Sequence, residues 1–197
     1  MATSIREAKQ ALRERITANR SALNATALSV HARALRDVLV SVPEVVAAER
    51  VAAYVSVGDE PGTGPLIEEL HDRGVHVLLP ILLPDFDLDW AEYQGPASLA
   101  PARRGLLEPI APRLGPEAVR EADVVLVPAM AVDRRGTRLG KGGGCYDRVL
   151  SRLAGRAPAY VLLHDGEVLD MPIPHEPHDV RVNTVVTPSG IQHVGDR

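Results

Sequence analysis

Residues 50 to 79 read RVAAYVSVGDEPGTGPLIEELHDRGVHVLL and carry a complete strand, helix, strand unit. Arg50 to Ser56 is a short apolar run bounded by turn residues, the pattern of a buried strand. A loop of glycine, proline and acidic residues follows from Val57 to Gly64. Pro65 to Arg73 then reads as a helix closed by Gly74, and Val75 to Leu79 is a second apolar run. Outward from this unit the alternation continues. Val124 to Val127 is a third buried strand, Tyr146 to Leu153 a helix, Ala159 to Leu163 a fourth strand and Val182 to Thr187 a fifth. Strands alternating with helices predict an α/β fold: a single-domain open, largely parallel twisted sheet flanked by helices on both faces, spanning residues 1–197. Ligands of such sheets gather at the strand ends.

Two helices precede this unit. Ser4 with Glu7 three residues on forms a capping box, and Ile5, Ala8, Leu12 and Ile16 recur at helical spacing, which predicts a helix to about Asn19. A second runs from around Ser29 to Ser41, carrying Val30, Leu35, Val38 and Leu39, and must stop before Pro43. Asp87 to Tyr93 alternates as a half-exposed strand would. Gln94 to Pro116 is rich in proline and glycine and reads as a connector.

With 197 residues, 45% hydrophobic and 24% charged, the chain has the composition of a folded soluble protein. A net charge of -4 argues against nucleic acid or an anionic membrane as the main partner. The longest apolar stretch, Val77 to Leu83, is broken by Pro80, and no basic segment followed by an apolar one opens the chain. Neither a spanning helix nor a secretory signal is expected, so a cytoplasmic address and a monomer are the expectations. Cys145 is the single cysteine and permits no internal disulfide. Of the 22 basic residues only Lys9 and Lys141 are lysine.

The segment with most chemical content is Pro128 to Leu150, PAMAVDRRGTRLGKGGGCYDRVL. It follows a buried strand and runs into a helix. Asp133 and Gly136 bracket a turn around Arg134 and Arg135. Gly140, Gly142, Gly143 and Gly144 leave backbone N–H groups free to point at one anion, beside the positive end of the following helix, and Arg138 and Lys141 add full charges. A flexible turn with solvated cations is the plainer alternative. A Walker loop is excluded because Lys141 is followed by Gly142, and a dinucleotide fingerprint because Cys145 stands where its last glycine belongs. Cys145 near cations at a helix start invites a nucleophile reading, but Ser151 occupies the place of the arginine that cysteine phosphatases need. Asp147, just inside the helix, is placed to reach a magnesium ion bridging phosphates, or simply to sit at a helix N-terminus. Asp179 is a second candidate ligand.

Other patterns are weaker. Lys9 and Arg13 lie one turn apart on the first helix, beside the stripe of Leu12 and Ile16, a spacing that also describes a solvated cationic face. His175 and His178 suggest zinc, but Pro177 breaks the helix their spacing would need. Asp85, Asp87 and Asp89 fail as a calcium loop, because Trp90 and Pro96 stand where glycine and glutamate belong. Phe86, Trp90 and Tyr93 offer either a stacking surface for a flat ligand or ordinary core. Glu60, in the loop after the first strand, is suited to hydrogen-bond a polar heterocycle, or to remain solvated.

Arg138-Leu139-Gly140-Lys141-Gly142-Gly143-Gly144, followed by Tyr146-Asp147, closely resembles the signature of 5-formyltetrahydrofolate cyclo-ligases, also called methenyltetrahydrofolate synthetases. Lys9 and Arg13, Ser56 through Glu60 with Thr63, Glu108-Pro109, and His178-Asp179 before Val185-Val186-Thr187 fall in the same order as in that family. The resemblance implies an ATP- and Mg2+-dependent conversion of 5-formyltetrahydrofolate to 5,10-methenyltetrahydrofolate with release of ADP and phosphate. By the same resemblance, ATP is held by Lys9, Arg13, Arg138, Leu139, Gly140, Lys141, Gly142, Gly143, Gly144, Cys145 and Tyr146. Folate contacts are Val55, Glu60, Lys141, Gly142, Gly143, Gly144 and Cys145; Asp147 and Asp179 hold the metal; Arg138 and Lys141 are the catalytic cations. The chain departs from the family at Cys145, where relatives usually carry an aromatic residue, and around Gly166, where they often carry glutamine. A non-catalytic nucleotide- or folate-binding regulator on the same fold is the alternative.

Overall fold

The structure, a computed structural model, describes residues 4–177 and 179–195. In chain order its elements are α1 (Ile5–Ser21), α2 (Ala25–Leu39), α3 (Pro43–Val46), β1 (Arg50–Ala52), α4 (Gly64–Asp72), β2 (His76–Leu82), β3 (Leu88–Glu92), β4 (Leu99–Pro101), β5 (Leu107–Pro109), β6 (Val124–Pro128), β7 (Ala131–Asp133), β8 (Arg138–Leu139), α5 (Cys145–Leu153), β9 (Ala159–Leu162), β10 (Val168–Leu169), β11 (Thr184–Thr187) and β12 (Gly190–His193). Among the described residues no helix is long and apolar enough to cross a membrane.

Seven strands form the main sheet in the order β12-β11-β9-β6-β1-β2-β3. The inner pairings are all parallel. Only the edge strands β3 and β12 run antiparallel to their neighbours. The sheet is therefore the expected α/β one, covered on both faces. On one face Leu35, Leu39, Val45, Leu66, Ile67 and Leu70 from α2, α3 and α4 pack on Val51, Val77, Leu79 and Val124. On the other, Val149, Leu150 and Leu153 of α5 and Val119 pack on Ala52, Leu78, Val125 and Val161. Pro80 sits inside β2 opposite Trp90 of β3, past the point where β1 stops pairing at Ala52 and Leu78, so its missing N–H breaks no ladder bond to β1.

The capping box of α1 forms as expected, with the Ser4 hydroxyl accepting from the Glu7 amide and the Glu7 carboxylate accepting from the Ser4 amide. Helix α2 starts earlier than its apolar spacing predicts. The Asn24 side chain accepts from the Ala27 amide and nucleates it there, and the buried stripe is Ala32, Leu35 and Leu39, with Val30 exposed. The strand expected over Arg50 to Ser56 leaves its ladder after Ala52, and Ala53 makes one further bond to the Leu78 carbonyl at 2.9 Å.

Two expectations are corrected. β3 is not half-exposed, since Leu88, Asp89, Trp90 and Ala91 are all buried. The connector folds back over it: the Leu114 amide donates to the Trp90 carbonyl at 2.8 Å and the Gly115 amide to Asp89 at 2.8 Å. The connector also forms the β4–β5 hairpin. The segment after β6 is likewise not one long loop, because β7 and β8 pair as a hairpin and β10 adds to it. Its turn is the expected one, with the Gly136 amide donating to the Asp133 carbonyl at 3.0 Å. Gly136 has φ 79°, and a Cβ there would stand 2.1 Å from the Val182 carbonyl oxygen, so no side chain fits. Against this small sheet α1 packs through Ile16, which meets Met130, Ala131, Leu139 and Ile173.

Candidate active site

The loops after β1, β6 and β9 and the glycine segment after β8 converge at the carboxyl ends of the parallel strands. From Gly140 to Asp147 no backbone N–H donates to an acceptor among the described residues. Part of this follows from helix geometry, since the first N–H groups of α5 have no intrahelical partner. The rest follows from Gly144, which occupies the N-cap position at φ 69°, in the left-handed region, and has no side chain to cap with. The result is a strip of donors at the positive end of α5, the arrangement that binds phosphate.

Cations surround this strip. Arg138 is buried, and its guanidinium donates to Asp147 Oδ1 at 2.8 Å and to the Pro128 carbonyl at 3.3 Å. Its Nε is buried with no acceptor among the described residues. From α1, Arg13 donates to the Gly140 carbonyl at 2.9 Å, and its guanidinium lies 3.5 Å from where a Gly142 Cβ would be. Lys9, one turn earlier, is 7% exposed and pairs with Asp179 at 2.5 Å and Glu176 at 3.1 Å. The solvated-face reading of Lys9 is thereby excluded. Lys141 reaches across the site to Glu60 Oε1 at 2.6 Å. Both lysines of the chain are thus committed to this region.

Glu60 is buried, not solvated, and its second oxygen accepts from the Val57 amide at 2.8 Å. The loop bearing it is cross-tied at its base. Ser56 and Thr63 exchange backbone-to-hydroxyl bonds at 3.1 Å each, and the Thr63 hydroxyl donates to the Tyr54 carbonyl at 2.5 Å. Val55 is half-buried over the core at the base of this loop. Tyr146 inserts between the two main core clusters, and its buried hydroxyl has no hydrogen-bond partner among the described residues. Burial pushes the Tyr146 hydroxyl far up from its ordinary pKa, and the Glu60 charge adds to this. Leu139 is a core residue beneath α1, 1% exposed, and its carbonyl accepts from Met130, so it shapes the site and offers no side chain to it.

Burial likewise pushes the Cys145 thiol up, which leaves it a poor nucleophile at neutral pH and agrees with rejecting a catalytic cysteine. The three clustered aromatics do not share a surface. Trp90 and Tyr93 are an odd number of residues apart and enter opposite core clusters, so only Phe86 faces the site. Its ring stands 3.2 Å from where a Gly143 Cβ would lie and is capped by the Arg104 guanidinium at 4.7 Å. Phe86 adopts φ 65°, held by Arg148, which donates to its carbonyl at 2.7 Å. Glu108 serves structure, accepting from the Leu82 amide at 2.9 Å.

The two acidic metal candidates lie in adjoining segments, since the Val180 amide approaches Asp147 Oδ1 at 3.4 Å. Asp147 Oδ2 has no partner among the described residues, while Asp179 Oδ2 also accepts from the Glu176 amide at 2.8 Å. Among the described residues no group of three or more His, Cys, Asp or Glu side chains could hold a metal. Hard carboxylate oxygens in small number fit Mg2+, which takes one or two carboxylates and completes its shell with phosphate and water. His175 is exposed and His178 lies outside the described residues. Sequence reasoning missed Glu176 as the second partner of Lys9 and Arg104 as the cap on Phe86; neither carries a local signal.

The mostly parallel sheet, with a cation-ringed amide strip at its strand ends, makes this an α/β protein whose site has the form of an anion-binding one. The chain belongs to the 5-formyltetrahydrofolate cyclo-ligase family, whose sequence profile matches residues 5–188. It is 42% identical over 185 residues to the 5-formyltetrahydrofolate cyclo-ligase of Mycolicibacterium smegmatis, covering 91% of this chain and 93% of that protein. It is 34% identical over 156 residues to the enzyme of the same name from Escherichia coli, covering 78% and 85%. The 5,10-methenyltetrahydrofolate synthetase of Aquifex aeolicus superposes with a TM-score of 0.81 at 26% identity, over 96% of this chain and 94% of that one.

Proposed function

We propose that this protein converts 5-formyltetrahydrofolate to 5,10-methenyltetrahydrofolate with consumption of ATP and release of ADP and phosphate. The observation that carries the reading is the strip of undonated amides from Gly140 to Asp147 with Arg13, Arg138 and Lys141 around it. An amide oxygen is a poor leaving group, so the formyl oxygen first attacks the γ-phosphate and expels ADP. N10 of the folate then closes on the activated carbon, gives up its proton to solvent, and the C–O bond breaks as phosphate departs. Phosphoryl transfer asks a protein for positioning and charge neutralisation rather than for covalent chemistry. The amide strip and Arg13 hold the phosphate tail, and Arg138 and Lys141 neutralise charge that develops on the transferred group. Mg2+, held through Asp147 and Asp179, would neutralise the charge of the bound phosphates.

Glu60 and Val55 meet the folate from the opposite side. The Lys141–Glu60 pair closes the gap between the two halves of the site, so ligand entry exchanges that contact for contacts to substrate. The test is direct: purified protein is mixed with 5-formyltetrahydrofolate and Mg2+, with and without ATP, and near-ultraviolet absorbance of the methenyl product is followed. ATP-dependent growth of that band is expected. Binding of both ligands with no product would make the protein a regulator on this fold, and ADP release only with a different amide or carboxyl substrate would make it another ligase.

A further inference from the structure

We propose that His164 is a positioning residue for the loop that presents Glu60, and that His31 sets the tautomer His164 needs; this rests on reading Glu60 as a folate contact. His164 follows β9, is 3% exposed, and places Nε2 3.0 Å from the Asp59 carbonyl oxygen. A carbonyl only accepts, so Nε2 must carry the hydrogen. In a neutral imidazole Nδ1 is then a lone pair. That atom stands 3.1 Å from Nδ1 of His31 on α2, so His31 must donate from Nδ1. With both rings neutral, each ring nitrogen of His164 thus has one permitted role, and the pair accepts no other tautomer without losing a bond.

The groups around the pair support a neutral His164. Burial, the largest influence, lowers its pKa, and the opposing Glu167 charge is already matched by Arg20. Arg20 of α1 grips Glu167 through Nε at 2.7 Å and Nη2 at 2.8 Å, and Glu167 accepts the His164 amide at 2.9 Å. Asp59 contributes its carbonyl, and Asp165 is the remaining charged group near His31. The backbone of His164 is therefore anchored to α1, and its ring reaches out to the loop. On the loop side, Ser56 and Thr63 hold the base, while Gly58 at φ 62° and Asp59 form the tip next to Glu60. Releasing the Asp59 carbonyl frees the tip, and Glu60 moves with it. Among the described residues this chain of contacts meets the amide strip only through the Glu60–Lys141 pair, whose lysine end is largely exposed, so the effect falls on folate more than on ATP.

Steady-state kinetics with folate and ATP varied separately, on wild type, His164→Leu, His164→Gln and His31→Ala, tests this together with 15N imidazole spectra of the wild type. His164→Leu is expected to raise the KM for 5-formyltetrahydrofolate about tenfold, while the ATP KM, coupled to the loop through the largely exposed Lys141, changes no more than about twofold. His164→Gln, which keeps a donor at the distal nitrogen, restores the folate KM to within about twofold, and His31→Ala raises it about threefold. The spectra are expected to show Nε2–H on His164 and Nδ1–H on His31 at neutral pH. A folded His164→Leu with an unchanged folate KM, equal changes in both KM values, or the opposite tautomer overturns the proposal. If wild type forms no methenyl product the proposed function fails, and the tautomers still judge the geometry. If His164→Leu does not fold, His31→Ala and the spectra decide.

Discussion

Lys141 and Glu60 are unequal partners: the lysine side chain is 59% exposed and the glutamate 9%. An ion pair with one end in water contributes well under about 1 kcal/mol to folding, so Lys141→Ala should leave the melting temperature nearly unchanged. Loss of the charge proposed to stabilise the transferred phosphoryl group should lower kcat about 100-fold. Calorimetry beside steady-state turnover checks both, and an equal collapse of stability and activity would make Lys141 structural. His164 behaves oppositely, touching stability through pH. Burial holds its folded-state pKa below the ordinary 6.5. In acid the unfolded chain takes up a proton that the native ring resists, so the stability contributed is whole above pH 6.5 and is lost as pH falls through the folded value. Urea unfolding at stepped pH should show this decline in wild type and a flatter profile in His164→Gln; identical slopes would contradict it.

Among the elements, α5 has two jobs, to aim its amino end at the ligand and to stay docked on the sheet. The docking is helped by Arg152, which donates to Asp87 in the β2–β3 turn and to Glu117 at 3.1 Å. The Arg152 guanidinium holds the Asp87 carboxyl below its ordinary 3.8. This stabilisation is present above pH 3.8 and disappears as pH falls through the lowered value. Asp87→Asn should cost on the order of 1 kcal/mol at neutral pH, with wild type and variant converging in strong acid, measured by denaturant titration. How well each element could be read from sequence depended on its length. α1 carries a capping box and about three turns of apolar spacing, enough to place both its ends within two residues of Ile5–Ser21. β8 and β10 are two residues each, too short for any period to show; both pair with β7, at whose end Asp133 closes the turn to β8 while its carboxylate accepts from the Arg135, Thr137 and Ile173 amides.

For the molecule as a whole, α1 stands apart from the main sheet and is held to the small β10-β7-β8 sheet and its flanking loops by Ile16 and by the buried Arg20–Glu167 pair, whose side chains are 2% and 8% exposed. Arg20 also donates to the Ala129 carbonyl at 2.8 Å, just past the end of β6. Arg20→Met would leave Glu167 charged and buried without its partner, at a cost of about 3–4 kcal/mol. Adding Glu167→Gln should recover part of that loss, since what hurts is the uncompensated charge more than the missing pair. Urea midpoints of the two variants check this, and a double variant no better than the single would place the cost in packing. Because α1 also carries Lys9 and Arg13, loosening it should weaken nucleotide binding in step with stability.

The alternation of the central strands with helices, the turn at Asp133 and Gly136, and the glycine strip before α5 were determined by sequence, because periodicity, capping and turn chemistry act over a few residues at a time. Which charges meet was decided only by the tertiary structure. Lys9 and Asp179 are 170 positions apart, and Arg20 and Glu167 are 147 apart. No local pattern distinguishes a cation that will be buried beside a distant carboxylate from one that stays in water. That distinction arises only when the sheet closes, removes solvent from both partners and leaves pairing as the way to keep their charge.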